Sequence, residues 1–367
     1  KKMDSLFLRI TKCLKINCLS YHVMMVIKKK GVVEIVDLDT FKIIHRYEPD
    51  SKSLLKNLSN DYKKKYPSTE TDLSENRMFL WHPYIDKNGN LTFNSSSPLF
   101  NIDICSRFNW VIEKYFSHSL EKNYEKNFWA ANTISSKIEG KYIGKDSADW
   151  NDEAIVKITP SGNILYEKSF SEILIENNYQ HLIFTHMQNP IHPDFCHLND
   201  VQPTFGDTKY WKKDDVFLSC RNLSTVFHYR PSTGKIINII RSNLILGQHD
   251  VDIVDNKTIS IFNNESFHTT NDFELINDLS SIIHYDYETK EFKKMHNEIL
   301  DSHNFGTRFG GLIQYLDDKS FIVEEQEHGR ILYINNNNQL VWSYVNKAKN
   351  GKVYVLRWSS IIEDQEK

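Results

Sequence analysis

A short strand-turn-strand pattern recurs six times along the chain, and this repeat limits the folds that the chain can adopt. In each copy apolar and polar residues alternate, a polar turn follows, and a second alternating run ends the unit. Alternation with a period of two is typical of half-buried β-strands, and turns such as Pro-Ser-Thr-Gly are typical of hairpins. The copies begin at Val32, Pro98, Glu153, Ser224, Ser280 and Gly329.

Further strands are predicted between these hairpins, in FLSCR before Ser224, TISIF after His249 and SFIVEE before Gly329. A repeat of roughly 40 to 60 residues with several strands per copy is typical of a β-propeller. We therefore predict an all-β, six-bladed β-propeller. The last apolar run, 353–362, is expected to share a sheet with the first hairpin and close the ring, because closure removes exposed strand edges. A β-sandwich is the alternative, but a sandwich gives no reason for six repeats.

Residues 31–367 are expected to form this single propeller domain, with insertions near 51–77, 137–152 and 170–193 that project from one face. Residues 1–30 are a separate N-terminal segment, either the remnant of an anchor or a first strand. The apolar run inside this segment is too short to cross a membrane, so no membrane span is expected.

Composition narrows the class of protein. The 367 residues carry a net charge of −3, which gives no electrostatic signature of nucleic-acid binding. With 40% hydrophobic residues the core is large enough without disulfides. The five cysteines have no Cys-x-x-Cys spacing and predict neither a disulfide framework nor a zinc site. Cys196 is either a reactive thiol or a buried strand residue. A homodimer is compatible with the sequence.

Four histidines precede strand-turn-strand patterns at similar distances, so they are expected to occupy equivalent positions in successive copies. In a ring, equivalent positions converge on the axis, and a cluster of imidazoles is predicted there. One of the four, the earliest in the chain, is equally open to a structural role in which it only satisfies backbone groups. The four are His82, His118, His197 and His249.

Three runs of sequence resemble, in the same order, the core of the bacterial arylsulfate sulfotransferases. They are HLNDV, FLSCRNLSTVFHYRPSTGKII and GQHDVDIVDNKTISIFNN, and the resemblance extends from 76 to 342. It implies an enzyme that transfers a sulfuryl group from a phenolic sulfate ester to a phenol, without a nucleotide sulfate donor. It also implies that no cofactor is used and that the protein is periplasmic or extracytoplasmic.

The same resemblance implies roles for individual residues. His249 becomes transiently sulfated, and Arg221, His197 and His118 are the further catalytic residues. The family has Arg-His-Gln where this chain has Arg-Asn-Leu at 221–223, so one polar group beside the arginine is missing. Substrate binding is expected at Asn199, His82, Thr307 and Arg308.

The chemistry of these residue types agrees with sulfuryl transfer. A neutral imidazole can attack sulfur, and the fixed cation of Arg221 suits the charge spread over the sulfuryl oxygens. Asn199 can donate to the same oxygens, and an imidazole can return a proton to the departing phenolate. A carboxylate is expected to orient the nucleophilic ring. Alternation along the strand favours Asp252 over Asp250 for this role.

Two alternatives belong to other functional classes. In the first, four axial imidazoles bind a metal, although a fixed cation beside the metal is unfavourable. In the second, the chain is a catalytically silent propeller that only binds a ligand. Metal analysis separates the first alternative from the enzyme, and turnover of an aryl sulfate separates the second.

Overall fold

The computed structural model describes the backbone of 23–28 and residues 31–75, 77–95, 98–134, 138, 152–184, 194–269, 272–348 and 350–362. The chain divides into two compact units. The first comprises Lys1–Phe116 with Leu316–Lys367, and the second comprises Ser117–Tyr315. No helix among the described residues is long and apolar enough to span a membrane.

The first unit begins with strands, short helices and a four-stranded meander. Its opening strands are β1 (Val23–Lys28), β2 (Val32–Asp37) and β3 (Ile43–Tyr47). The helices are α1 (Ser51–Lys56), α2 (Asn60–Lys65) and α3 (Thr69–Asp72). The meander consists of β4 (Trp81–Ile85), β5 (Leu91–Asn94), β6 (Leu99–Ile102) and β7 (Phe108–Ile112).

The insertion predicted near 51–77 is part of the core of this unit rather than only a surface excursion. Its first two helices are capped by side chains, since Asp50 accepts from Ser53 N and Ser59 accepts from Tyr62 N. Buried side chains from the segment, such as Leu54 and Tyr62, pack against the sheets. Burial of this apolar surface holds the short helices in place, because helices of this length are marginal alone.

The second unit begins within β8 and contains three four-stranded sheets. Its strands up to the second sheet are β8 (Tyr115–Lys122), β9 (Phe128–Ile134), β10 (Asp152–Ile158), β11 (Ile164–Ser169), β12 (Leu198–Pro203), β13 (Val216–Cys220), β14 (Thr225–Arg230) and β15 (Lys235–Ile240). The third sheet and a separate hairpin comprise β16 (Val251–Ile253), β17 (Thr258–Asn263), β18 (Ser266–His268), β19 (Phe273–Leu275), β20 (Ser281–Asp286) and β21 (Phe292–Met295). The unit ends at β22 (Leu312–Tyr315), and its helices are α4 (Phe170–Glu176) and α5 (Asn297–Ser302).

The chain then returns to the first unit. Its last strands are β23 (Phe321–Glu325), β24 (Arg330–Ile334), β25 (Leu340–Val345) and β26 (Ser360–Ile362). Strand β26 pairs with β1, so the sheet β26-β1-β2-β3 combines both ends of the unit. This agrees with the prediction that the run at 353–362 shares a sheet with the first hairpin.

All six predicted hairpins are present, and they are β2-β3, β6-β7, β10-β11, β14-β15, β20-β21 and β24-β25. Their turns follow a local rule, as at Asp86, whose carboxylate accepts from Asn88 N and Asn90 N while Gly89 adopts a positive φ of 80°. This succession of antiparallel meanders confirms the all-β propeller class. The described residues form six four-stranded sheets and one two-stranded sheet.

The two later insertions have different outcomes. The one predicted near 170–193 starts with α4, whose N-cap Ser169 accepts from Glu172 N and whose Phe170 and Ile173 are buried in the core of the second unit. Its end, 185–193, and nearly all of the insertion predicted near 137–152 lie outside the described residues.

Candidate active site

Three of the four predicted histidines share an uncommon backbone conformation near the start of the first strand of a sheet. His82, His118 and His197 have φ values of 45°, 57° and 53°, in the left-handed region that few residues other than glycine adopt. His249 is not among the residues with positive φ, and Gly247 has that conformation two residues earlier. All four histidines thus lie near the start of the first strand of a sheet, and three of them share this backbone conformation.

His249 lies just before β16, and both of its ring nitrogens are hydrogen-bonded. Nδ1 lies 2.7 Å from Asn264 Oδ1, and Asn264 Nδ2 donates to the carbonyls of Thr307 (2.8 Å) and Gly310 (2.7 Å). These two bonds identify the nitrogen of the Asn264 amide, so Nδ1 of His249 carries the proton and donates it. Nε2 is therefore unprotonated, and it accepts a hydrogen bond of 3.2 Å from Gly310 N.

The surroundings of His249 keep its ring neutral. Only 6% of the residue is exposed, and burial lowers its pKa to about 3, with smaller contributions from the Arg221 cation and from His197. The lone pair of Nε2 is therefore unprotonated at neutral pH. A neutral imidazole with a fixed tautomer is suited to nucleophilic attack.

Arg221 supplies a cation that is largely withdrawn from solvent. It begins a 3-10 turn directly after β13, its Nε donates to Asn222 Oδ1 (3.1 Å), and its guanidinium carbon lies 5.1 Å from the centre of the Phe273 ring. Burial lowers the pKa of Arg221, while the carboxylates of Asp194 and Glu153 raise it. Its two Nη atoms make no hydrogen bond to any residue that the structure describes. They are therefore able to donate to an anion.

His197 is oriented by an acid and lies beside a second imidazole. Its Nδ1 is 2.6 Å from Asp194 Oδ2, and its ring centre is 4.7 Å from that of His118, with the planes at 68°. With Asp194 ionised, Nδ1 is the donor, and the acceptor nitrogen of His197 is Nε2. The pair places two proton carriers side by side in the second unit.

A disulfide between Cys196 and Cys220 joins the residues that directly precede His197 and Arg221. Two backbone bonds reinforce this link, from Arg221 N to His197 O (3.3 Å) and from Asn222 N to Cys196 O (2.9 Å). The prediction that the cysteines form no disulfide framework was wrong, and Cys196 is not a reactive thiol. The pairing depends on the register of β12 against β13, which alternation alone does not reveal.

A model of the family described as Arylsulfotransferase (ASST) matches residues 85–347, more than half of the chain. The chain belongs to the arylsulfotransferase family. The match includes His249, Arg221, His197 and the two hydrogen-bonded carbonyls that hold Asn264. The resemblance predicted from the three sequence runs is confirmed.

Of three similar solved structures, the first supports the fold of this arylsulfotransferase-family chain, and none supports anything beyond the fold. A Bacteroides caccae protein of unknown function is similar with a TM-score of 0.57 and 13% identity, over 94% of this chain and 100% of that one. A streptogramin B lyase has a TM-score of 0.44 and 11% identity, over 91% of this chain and 85% of its own. A catalytically inactive virginiamycin B lyase from Staphylococcus aureus has 0.43 and 11%, over 94% of each chain. No curated protein matches the chain.

Asn199 holds the residue before His249 from the neighbouring sheet. It is 3% exposed, and its Nδ2 donates to the carbonyl of Gln248, the residue before His249, over 2.8 Å. Its Oδ1 is buried without a hydrogen-bond partner among the described residues. Donation from Asn199 to sulfuryl oxygens stays a prediction, and the second hydrogen of Nδ2 would have to make it.

Thr307 and Arg308 are held by other parts of the protein. Thr307 is buried, its Oγ1 donates to Phe309 O (2.9 Å), and its carbonyl accepts from Asn264. Arg308 Nη1 donates to Asp272 Oδ2 (2.7 Å) and to Phe273 O (3.0 Å). Their predicted roles in binding substrate are not tested by these contacts.

His82 belongs to the first unit, whereas the other predicted site residues belong to the second. Its ring centre lies 4.0 Å from that of Trp358, with the planes at 41°. Trp358 also has a positive φ, of 76°, so two neighbouring copies of the repeat use the same backbone conformation. Packing on Trp358 accounts for the conformation of His82 without a ligand.

The expectation that Asp250 or Asp252 orients His249 was wrong, because Asn264 takes that position. Asp250 instead accepts from Ile313 N (2.9 Å). Burial raises the pKa of Asp252 to about 7, and the charge of Asp200 adds to the effect. Alternation along β16 therefore places the carboxyls of Asp250 and Asp252 in a separate buried cluster and not beside the His249 imidazole.

Three functional candidates were missed from the sequence, and two of them had a usable signal. Asn264 directly follows β17 in the run IFNN, where a polar pair ends an apolar strand. Asp194 precedes His197 by three residues and could have been paired with it, whereas Glu153 gave no local signal because it meets Leu198 and Arg221 only through the fold. Glu153 Oε1 accepts from Leu198 N (2.7 Å), its Oε2 is buried without a partner among the described residues, and burial raises its pKa to about 8.

Metal binding was the alternative use of a histidine cluster. Within the described part of the chain, no group of three or more His, Cys, Asp or Glu side chains is arranged to hold a metal ion. The nitrogens of His249 are engaged by an amide oxygen and a backbone N–H, as described above.

Proposed function

We propose that the chain transfers a sulfuryl group from a phenolic sulfate ester to a phenol, through a sulfated His249 and without a nucleotide sulfate donor. Family membership supports an aryl sulfotransferase-like function in general terms. The observation that carries the finer proposal is the hydrogen-bond pattern of His249. Asn264 keeps the proton on Nδ1 over 2.7 Å, so the free lone pair belongs to Nε2.

In the first half reaction, Nε2 of His249 attacks the sulfur of the aryl sulfate. The N–S bond forms as the S–O bond to the aryl group breaks, and the electron pair of that bond leaves with the aryl oxygen. The phenolate takes a proton from His197 or His118, whichever enters the step as an imidazolium, which gives free phenol and leaves that ring neutral. Gly310 N must release Nε2 at this step, and its hydrogen bond of 3.2 Å is a long one.

In the second half reaction, the oxygen of the acceptor phenol attacks the same sulfur. The N–S bond breaks and its electron pair returns to Nε2 of His249, while the imidazole that protonated the first phenolate takes the acceptor's proton. The Nδ1 proton stays on the ring throughout. The sulfated ring is therefore positively charged, and Asn264 Oδ1 stabilises that charge as it develops.

Arg221 stabilises the transferred group. Negative charge spreads over three sulfuryl oxygens in the transition state, as it does in phosphoryl transfer. A planar guanidinium withdrawn from water interacts with that charge more strongly than a solvated cation does. Arg221 is partly buried, its surroundings lower its pKa, and its Nη atoms remain without partners among the described residues.

The architecture adds one element to this proposal. We also propose that the propeller ring is closed through the sheet in which β26 pairs with β1. A ring would let strands far apart in sequence supply one site, as the residues of the second unit already do between positions 118 and 310.

The experiment is intact mass spectrometry after incubation with 4-nitrophenyl sulfate and no acceptor. We expect the wild-type chain to gain one SO3 group, and His249→Ala to gain none. The exposed His181 provides a matched control, so His181→Ala should label as the wild type does. Full labelling of His249→Ala contradicts the proposal. Activity that is lost on chelation and restored by added metal would instead favour the metal-centred alternative.

A further inference from the structure

The third sheet of the second unit carries an extra hairpin in the connection between its second and third strands. In the preceding sheet this connection is the short turn that bears Arg221, between β13 and β14. Between β17 and β20 the connection is 264–280, and it contains the antiparallel pair β18-β19. We call this pair the β18-β19 hairpin. It is an addition to the four-stranded pattern, and that pattern does not explain its presence.

The hairpin brings an aromatic ring onto the proposed sulfuryl-binding cation. Phe273, the first residue of β19, has its ring centre 5.1 Å from the guanidinium carbon of Arg221. A guanidinium stacked on a ring keeps its N–H donors at the edge of the plane, where they can still bind oxygens. Phe273 therefore fixes the plane of Arg221 and leaves its Nη atoms for an anion.

A second ring extends this aromatic surface toward the nucleophile. The centre of the Phe309 ring lies 6.3 Å from that of Phe273, at an interplanar angle of 63°. Phe309 directly precedes Gly310, whose N–H lies 3.2 Å from Nε2 of His249. The two phenylalanine rings are each only partly buried. They thus link the cation and the nucleophile by an apolar surface that solvent or a ligand can reach.

The hairpin is fastened to the chain segment that carries Phe309. Arg308 Nη1 donates both to Asp272 Oδ2 (2.7 Å) and to Phe273 O (3.0 Å). Gly306 permits the close approach of this segment, since a Cβ there would lie 2.6 Å from Asp278 O. The ion pair is partly exposed and contributes little to stability. Its effect is to set where the Phe273 ring lies.

We propose that Phe273 and Phe309 form the aryl subsite of this enzyme, so that the chain selects sulfate esters with a planar aromatic leaving group. The ring of the donor packs against the two phenylalanines while its sulfate oxygens meet Arg221. This subsite rests on the proposed function. Arg308 is then a positioning residue that holds the hairpin and does not touch the substrate.

The test measures binding without turnover, by isothermal titration calorimetry. 4-Toluenesulfonate carries the ring and the charge but has a C–S bond that cannot be transferred, and methanesulfonate carries the charge alone. We expect the wild type to bind the aryl compound more tightly. Phe273→Leu should weaken its binding about tenfold more than that of methanesulfonate, which loses only the orientation of Arg221. Phe273→Tyr, which keeps the ring, should bind both as the wild type does.

Two further variants separate the subsite from a general loss of structure. Phe267 lies on the same hairpin and is 43% exposed, so Phe267→Leu is the matched control and should change neither affinity. Arg308→Met should weaken 4-toluenesulfonate selectively, as Phe273→Leu does, but by less. The proposed subsite is overturned if the wild type binds the two sulfonates with equal affinity, or if it does not bind the aryl compound. Selective aryl binding together with no covalent labelling overturns the proposed function and leaves the subsite standing.

Discussion

Asn264 accepts a hydrogen bond of 2.7 Å from Nδ1 of His249, and an amide rather than a carboxylate therefore sets the tautomer of the proposed nucleophile. The difference is electrostatic. A carboxylate at that position would stabilise the imidazolium and raise the pKa of His249, whereas a neutral amide orients the ring without drawing a proton onto Nε2. Burial and the Arg221 cation can then hold the pKa at about 3.

The first prediction concerns this amide. Asn264→Leu removes the acceptor of Nδ1, so the ring can take either tautomer, and we expect kcat/KM for an aryl sulfate to fall about a hundredfold. Asn263→Leu is the control, because Asn263 is buried next in sequence but donates to Leu244 O instead. Steady-state rates and unfolding midpoints of both variants should be compared. Equal loss of activity in the two variants would show that the Asn264 effect is only structural.

The second prediction concerns the cation. Arg221→Met should leave the nucleophile in place but remove charge stabilisation, which corresponds to a loss of roughly 3 kcal/mol, or about a hundredfold, in kcat. Arg221→Lys should restore only part of the rate, because an ammonium lacks the planar donors. Arg241→Met provides the control, since Arg241 donates to Leu223 O at an exposed position. Wild-type kcat in Arg221→Met would rule out this role.

A third prediction separates the two imidazoles that can protonate the leaving group. Replacing His197 or His118 should cost most with poor leaving groups, because an acidic phenol needs no proton in the transition state. A series of substituted phenyl sulfates gives the slope of log kcat/KM against the pKa of the phenol. The slope should steepen for the residue that acts as the acid. Asp194→Asn should steepen it in the same direction if Asp194 orients His197, with which it shares a 2.6 Å bond.

The strands were predictable from the sequence because each hairpin carries its own pattern. Alternating apolar residues indicate that one face of a strand is buried, and residues such as Asp86 and Gly89 indicate the turn. Both signals lie within a few residues of each other. The β18-β19 hairpin was not predictable in the same way, because it lies inside a connection of the third sheet and is not part of the repeated pattern.

The site was only partly predictable, for a related reason. His249, Arg221 and His197 stand out as residue types in ordered motifs, which the family match supports. The partner of His249 lies further away, since Asn264 follows it by 15 residues and is itself held by the carbonyl of Gly310, 46 residues later. A sequence motif identifies the reactive group. The group that fixes its tautomer is identified only when the pairing of the strands is known.

The fourth prediction concerns the disulfide between Cys196 and Cys220. Its loss should lower the free energy of unfolding by about 2 to 4 kcal/mol. It should also lower kcat, because the two cysteines directly precede His197 and Arg221. The Cys196→Ser/Cys220→Ser double variant should show both losses, in urea unfolding and in rate assays. A double variant as stable and as active as the oxidised wild type would contradict this account.

The last prediction concerns the pH dependence of stability, for which His249 and Glu153 act in opposite directions. Burial lowers the pKa of His249 to about 3, below its value of about 6.5 in the unfolded chain. Between these values only the unfolded chain binds the proton, so stability is lost as the pH falls through that window. Burial raises the pKa of Glu153 to about 8 from about 4.3 in the unfolded chain. Here only the folded protein binds the proton, so stability is lost as the pH rises.

Glu153→Gln separates the two effects. An amide keeps the shape of the protonated carboxyl, and its oxygen can still accept from Leu198 N, as Glu153 Oε1 does over 2.7 Å. The free energy of unfolding, measured in urea from pH 4 to pH 9, should therefore decline less steeply on the alkaline side than in the wild type. Between about pH 4.3 and 6.5 stability should rise with pH in the variant, because Glu153 no longer offsets the effect of His249. Glu176→Gln, at an exposed position beside Lys168, should follow the wild type at every pH. If Glu153→Gln keeps the full alkaline decline, the proton lost there belongs to another buried acid, for which Asp200, with a pKa raised to about 7, is the next to test.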